Sequence, residues 1–344
     1  MPLSLNQLLP NLGQSLEGIG FLFGAGASYE AGYPLMSTLT RQVVAKLNTA
    51  QRVALNTVLA ATGQAYDDAT ATPNIEDVSD LTIAHALNSG DPAFASLEQQ
   101  FRALIVEVLL SVSNPAVTHH VAFFEALKKR TFGLPCSVWI LTTNYDVVLE
   151  TAAALAGVRL ENGFAGSTTR FFDIGQLGQV HGSSDGHRFT PYPGLIVKLI
   201  KLHGSLSWAP KGGLLVEQHP DSLGPTTTRT MVLPRRRKVM DTLSPPYDQL
   251  FAHASRVIGS ECKYLVSCGY SFSDEHINQA VLLPALRSGR CRLTALCDVE
   301  PSGLADFKPM PTVSAAFSTH VWPNLAATPD TTDLWRFSTF AAAF

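Results

Sequence analysis

The chain has 344 residues, a length that suits one large domain or about two smaller ones. Hydrophobic residues make up 46% and charged residues 15%, which excludes a disordered chain and supports a sizeable buried core. A formal net charge of −3 gives no sign of a general polyanion-binding surface, though it leaves room for a local patch, and direct nucleic-acid binding is not indicated.

The first apolar run, 19–23, ends in glycine and reads as a buried strand. Helical periodicity then occupies 39–47, 53–61, 75–87, 97–112 and 116–129, an interval far longer than the dozen or so residues of a plain crossover. A second strand is expected at 137–141, followed by a helix over 146–156. The stretch 163–194, rich in Gly, Ser, Thr and aromatics, is expected to be irregular. Further strands are expected at 195–202, 231–233, 264–268 and 293–297, with a helix over 274–286. Beyond Pro301 the pattern fades into loop with one short helix around 333–342.

This alternation predicts an α/β fold: a Rossmann-like doubly wound parallel sheet with an inserted all-helical subdomain. The expected division places 1–34 and 134–344 in the sheet domain and 35–133 in the insert.

Five cysteines (Cys136, Cys262, Cys268, Cys291 and Cys297) form no C-x-x-C pair. The expectation is a reduced cytoplasmic protein with neither a disulfide framework nor a metal site. No Lys or Arg precedes Arg41, so no signal or transit peptide is expected. No apolar run approaches the ~20 residues of a membrane span.

Chemistry gathers at strand ends. The first strand runs into Gly24-Ala25-Gly26-Ala27-Ser28, small residues that let a backbone turn tightly and approach a pyrophosphate. The spacing is not the full G-x-G-x-x-G, and a plain strand-to-helix turn is the other reading. The second strand ends in Thr142-Thr143-Asn144-Tyr145-Asp146, either ligand contacts or a helix N-cap. The third ends in Lys201-Leu202-His203-Gly204-Ser205, and His203 is the histidine best placed for proton transfer. The fifth ends in Gly269-Tyr270-Ser271-Phe272-Ser273-Asp274 and the sixth in Asp298. Either aspartate reads as a ligand contact or as an N-cap.

Together the four motifs GAGAS, TTNYD, KLHGS and GYSFSD resemble the sirtuin family over about residues 15–300. The resemblance implies that Gly24, Ala25, Gly26 and Ser28 line an NAD pocket, with Thr143 and Asp146 on the nicotinamide-ribose side. It implies Asn144 and His203 as the catalytic pair, and Gly269, Ser271 and Asp298 around the adenosine half. Protein deacylases follow the glycine loop with a proline and then Asp-Phe-Arg, whereas this chain reads Tyr33-Pro34-Leu35-Met36. The four-cysteine zinc module of deacylases is also missing from the sequence. Both departures, and the segment Asn74-Ile75-Glu76-Asp77, resemble the bacterial branch that acts in antiviral defence by hydrolysing NAD.

The implied activity is an NAD+ glycohydrolase releasing nicotinamide and ADP-ribose, the toxic effector of an antiphage, abortive-infection system. The alternatives are a protein deacylase or ADP-ribosyltransferase, and a non-catalytic subunit binding NAD or ADP-ribose. About 44 residues follow Glu300, fewer than the ~50 of a small domain, so sensing is expected in a separate subunit. By family analogy that partner is a HerA-type hexameric ATPase, and the chain is expected to form a homo-oligomer. The run Arg235-Arg236-Arg237-Lys238 reads as a solvated loop, an acidic-partner surface, a nucleic-acid contact or a phosphate contact, and is left unassigned.

Overall fold

The computed structural model describes residues 5–9, 15–224, 227–232, 244–323 and 333–344. Its frame is an eight-stranded sheet built from β1 (Ile19–Phe23), β2 (Cys136–Thr142), β3 (Arg159–Glu161), β8 (Leu195–Lys201), β11 (Tyr264–Cys268), β12 (Arg292–Leu296), β13 (Val313–Ala316) and β14 (Val321–Trp322). The order across the sheet is β14-β13-β12-β11-β1-β2-β8-β3. Every neighbouring pair is parallel except β13 with β14.

The strands are apolar on both faces because both faces are covered. From β1, Phe21 and Phe23 enter a cluster with Phe123, Phe124, Phe337 and Phe340. Leu22 points the other way, into a cluster with Leu250, Ile258 and Leu286. The first face carries α5 (Thr118–Arg130), α6 (Val148–Leu155) and α9 (Phe337–Ala342). The second carries α7 (Tyr247–Val257) and the helical run α8 over 275–287. Within α8, residues Asn278–Leu282 are π-helical, directly before Pro284, whose missing N–H interrupts the regular ladder.

Four α-helices lie between β1 and α5: α1 (Met36–Ala45), α2 (Thr49–Ala60), α3 (Ile75–Ser89) and α4 (Pro92–Leu110). Short polar side chains start three of them. Asn48 and Gln51 form a reciprocal capping box, Asn74 accepts from the amides of Glu76 and Asp77, and Asp91 caps α4 ahead of Pro92. Their apolar stripes build a separate core around Val43, Leu55, Leu59, Phe101 and Leu104, which meets the sheet body through Val148, Leu206 and Met231. The last of the five predicted helical stretches behaves differently: α5 packs its Phe123, Phe124 and Leu127 with the sheet.

The sequence expectation differs from the structure in three places. The stretch 163–194 contains β4 (Phe164–Gly166), β5 (Arg170–Phe172), β6 (Gly182–Ser184) and β7 (Phe189–Pro191). With β9 (Trp208–Lys211) and β10 (Leu214–Glu217), β4 and β5 make a small antiparallel sheet in the order β4-β5-β10-β9. Three-residue strands are too short to show a period of two. The expected strand at 231–233 is an isolated bridge from Met231 to Gly204 within the described residues. The tail past Pro301 is not merely loop, because β13 and β14 extend the sheet. The basic run 235–238 lies outside the described residues.

Candidate functional site

In a parallel sheet a crevice opens at the carboxyl ends of the strands where the chain reverses its direction of winding. Here that point is β1, with β2 on one side and β11 on the other. A cavity of about 1020 Å³ occupies it, at the top of the ~300–1,000 Å³ range of ligand clefts. Each of Gly24, Ala25, Gly26, Ser28, Thr143, Asn144, Asp146, His203, Gly269, Ser271 and Asp298 lines this one cavity.

The glycine loop is shaped first by the loop beside it. Gly26 N donates to Gly269 O at 3.0 Å and Gly24 N to Cys268 O at 3.3 Å. A Cβ on Gly24 would stand 2.5 Å from Gly269 O, and one on Gly26 would stand 2.7 Å from the Gly269 Cα. Gly269 itself has φ +66° and faces the backbone of Gly26 and Ala27. These glycines therefore let the ends of β1 and β11 interlock, and the chain continues as a single 3₁₀ turn, Ala25–Ser28.

Asn144 closes the same loop from β2. Its Nδ2 donates to Gly24 O at 2.9 Å and to Ser28 Oγ at 2.9 Å. An amide has two N–H donors, so both are committed, and Oδ1 is the atom left to accept from a ligand. Thr143 N is bonded to Phe23 O, tying β2 to β1 at this point. Asp146 acts as a cap, accepting from Val148 N at 3.0 Å at the start of α6. Its backbone oxygen accepts from the buried ammonium of Lys201, which also lies 2.9 Å from Glu150 Oε1.

His203 follows β8 and is buried. Its Nε2 lies 2.8 Å from Asp274 Oδ2, while Asp274 Oδ1 accepts from Ile277 N at the start of α8. Asp274 is thus an N-cap, one of its two sequence readings, and in addition a partner of His203. Tyr145 stands between β2 and the helical insert, donating from its hydroxyl to Val232 O at 2.6 Å. Burial pushes that hydroxyl's pKa well above its usual value. Beneath His203, Ser205 and Ser207 share a 2.8 Å hydrogen bond, and Ser205 reaches back to Tyr145 O. Glu217, raised by burial against the pull of Arg170, anchors this layer through Asn162, Arg170 and Trp208.

Two parts of the wall carried no signal in the sequence. One is the His203 partnership of Asp274, hidden because any acidic residue before a helix also reads as a cap. The other is the segment Trp335, Arg336 and Phe337, more than thirty residues beyond the last expected strand. Opposite it stands Glu30, whose burial would raise the carboxyl's pKa. Hydrogen bonds from Ser338 outweigh that and hold it below its ordinary value. Among the described residues, no group of three or more His, Cys, Asp or Glu side chains is placed to hold a metal ion. No helix among them is long and apolar enough to cross a membrane.

No curated protein matches the sequence. Solved structures that resemble the chain include a Sir2 homologue mutant with ADP ribose, at 14% identity and TM-score 0.43, covering 97% of this chain and 95% of that one. Another is a Sir2 homologue mutant with 2'-O-acetyl ADP ribose, at 14% identity and TM-score 0.41, covering 90% and 89%. A third is Sir2Tm bound to a propionylated peptide, at 12% identity and TM-score 0.41, covering 90% and 92%. The family model of the SIR2-like domain matches residues 138–287, the span from β2 to the end of α8. Over residues 138–287 this chain is similar to the SIR2-like domain.

Proposed function

We propose that the protein is an NAD+ glycohydrolase that releases nicotinamide and ADP-ribose, serving as the toxic effector of a bacterial antiphage system. One observation carries the reading. Asn144 and His203, from two different strands, meet the interlocked glycine loops in a single cavity at the winding switch of the sheet.

Nicotinamide is a cationic leaving group in NAD, so cleavage passes through a transition state like the oxocarbenium ion of glycoside hydrolysis. The C1′–N bond breaks, a water oxygen bonds to C1′, and one proton must leave that water. Asn144 Oδ1 is the acceptor that holds the water or a ribose hydroxyl, its Nδ2 being fixed on Gly24 and Ser28. His203 takes the proton, and the Asp274 carboxylate at 2.8 Å stabilises the imidazolium that forms. Asp146 and Thr143 stand on the ribose side, and Gly269, Ser271 and Asp298 around the adenosine half.

The experiment is nicotinamide release by the purified full chain, with NAD alone and with NAD plus an acyl-lysine peptide. Release without peptide is the expected result. Release only with peptide overturns the hydrolase in favour of a deacylase.

Three further points belong to the same proposal. The sheet domain comprises 1–34 and 134–344 around an insert at 35–133. The chain works in the cytoplasm as a homo-oligomer. Its basal turnover is raised to the full toxic level by a separate sensor subunit, a HerA-type ATPase on the family analogy. Light scattering of the chain alone, and co-purification with such an ATPase, test the last two.

A further inference from the structure

We propose that Arg336 is the cationic clamp for the pyrophosphate of the bound dinucleotide; this rests on the reading of the cavity as an NAD site. The need for a cation follows from how few amides the glycine loop has left to give. Its amides at Gly24, Gly26, Ala27 and Tyr29 all donate within the protein, to Cys268 O, Gly269 O, Gly24 O and Gly26 O. The four-residue 3₁₀ turn that follows has no long helix dipole to offer a phosphate.

The walls make the deficit worse. Glu30, Glu76, Asp146, Asp274 and Asp298 line the cavity, and a pyrophosphate would add two negative charges among them. Among the described lining residues, Arg336 is the one lysine or arginine.

Its place is held on both sides of the crevice. Cys268 Sγ, at the end of β11, donates to Trp335 O at 3.4 Å. Phe337 stacks on the His120 ring at 3.9 Å, and His120 Nε2 lies 2.9 Å from Ala27 O in the glycine loop. Ser338 gives both its amide and its hydroxyl to Glu30, each at 2.7 Å. Residues 335–338 therefore cross directly over the ends of β1 and β11, where a pyrophosphate on the glycine loop would lie. The Arg336 guanidinium carbon sits 4.8 Å over the Trp335 ring, which restricts its rotamers before any ligand arrives. A planar fork so held matches the paired oxygens of a pyrophosphate in a way that an ammonium does not.

The test is calorimetric binding of ADP-ribose and of adenosine to the full chain, its R336Q and R336K variants, and a variant with Arg235–Lys238 neutralised. A melting curve accompanies each. R336Q should weaken ADP-ribose by ~10- to 100-fold, the worth of a charge-assisted pair, and leave adenosine unchanged. R336K should fall between, and the 235–238 variant should bind normally. In turnover, R336Q should raise KM for NAD with kcat within about twofold, as expected for lost uniform binding. If wild type binds ADP-ribose and R336Q binds it equally well, the clamp is wrong and the dinucleotide reading stands. Loss shifted to the 235–238 variant, or equal loss of adenosine in R336Q, overturns the clamp as well. A wild-type chain that binds neither ADP-ribose nor NAD removes the dinucleotide reading and the clamp with it.

Discussion

Asp274 divides its carboxylate between two strand-end motifs: Oδ2 lies 2.8 Å from His203 Nε2, and Oδ1 caps α8 through Ile277 N. Both side chains are buried, so the pairing is poorly screened by solvent. It links the turn after β8 to the turn after β11 across the cavity. The ring of His203 is thereby oriented, and any positive charge it acquires is met at once.

Asp274→Asn separates these two duties, because asparagine caps a helix about as well as aspartate. The melting temperature should change little. Nicotinamide release should fall by ~10²-fold, the scale of a misplaced or unsupported catalytic group. The loss should appear in kcat rather than KM, and the pH profile of the residual activity should shift. Wild-type kcat with an unmoved pH profile would leave Asp274 as a cap alone.

His203→Ala and Asn144→Ala should each lower turnover by at least ~10²-fold, and the double variant should be little worse than either single one. Their binding should differ. His203→Ala should still bind NAD, whereas Asn144→Ala releases the clasp on Gly24 O and Ser28 Oγ. Leaving those buried acceptors unmet costs about 1–3 kcal/mol each at most, so a lower melting temperature and weaker NAD binding are expected together. Calorimetry beside a melting curve separates the two variants. Intact NAD affinity in a destabilised Asn144→Ala protein would show that the clasp does not shape the site.

The interlocked glycines make a purely structural prediction. At Gly269 a Cβ would come 2.3 Å from Ala27 N and 2.5 Å from Gly26 C, with φ at +66°. Gly289 has a similar φ of +70° with nothing within 4 Å. Gly289→Ala should therefore cost about 1 kcal/mol, the conformational penalty alone. Gly269→Ala should cost more than about 4 kcal/mol or prevent folding, because backbone must move. Urea titration of the pair checks the contrast; equal costs would mean that the two loops separate easily.

Much of this architecture was legible because a parallel sheet covered on both faces writes its strands as apolar runs. The predicted strands 19–23 and 264–268 coincide with β1 and β11. The expected site residues all line one cavity because each stands where such a run stops, and parallel strands end on the same side. The start expected at 75 coincided with that of α3, whereas the starts expected at 53 and 97 moved to Thr49 and Pro92, because Asn48 and Asp91 rather than the first apolar position set them. Contacts between distant segments left no local trace. Nothing near Arg336 in the sequence announces that Ser338 will bind Glu30, 308 residues earlier. Nor does the small-residue strand Val313–Ala316 carry the hydrophobicity by which a sheet strand is usually recognised.

The last prediction concerns acid. His120 is buried under Phe337, with Nε2 beside Ala27 O and Nδ1 unpartnered, and burial lowers its pKa to about 4. In the unfolded chain the same ring titrates near its ordinary value of about 6.5. Below that value the unfolded chain binds a proton that the native state refuses, so stability must fall as pH drops. This contribution is intact above about pH 6.5, erodes through the interval, and is exhausted by about pH 4. Its full size is about 3 kcal/mol. His120→Gln removes the titration, so its urea-unfolding free energy should vary less than wild type between pH 7 and pH 4.5, even if lower at neutrality. Because His120 supports Phe337, and Phe337 adjoins Arg336, acid should also loosen the C-terminal wall before the sheet unfolds. Hydrogen exchange at residues 335–338 and Ala27 should accelerate between pH 6.5 and 4.5 in wild type, after correction for intrinsic rates. A wild-type stability curve parallel to that of His120→Gln over this range would show that the ring is protonated within the fold.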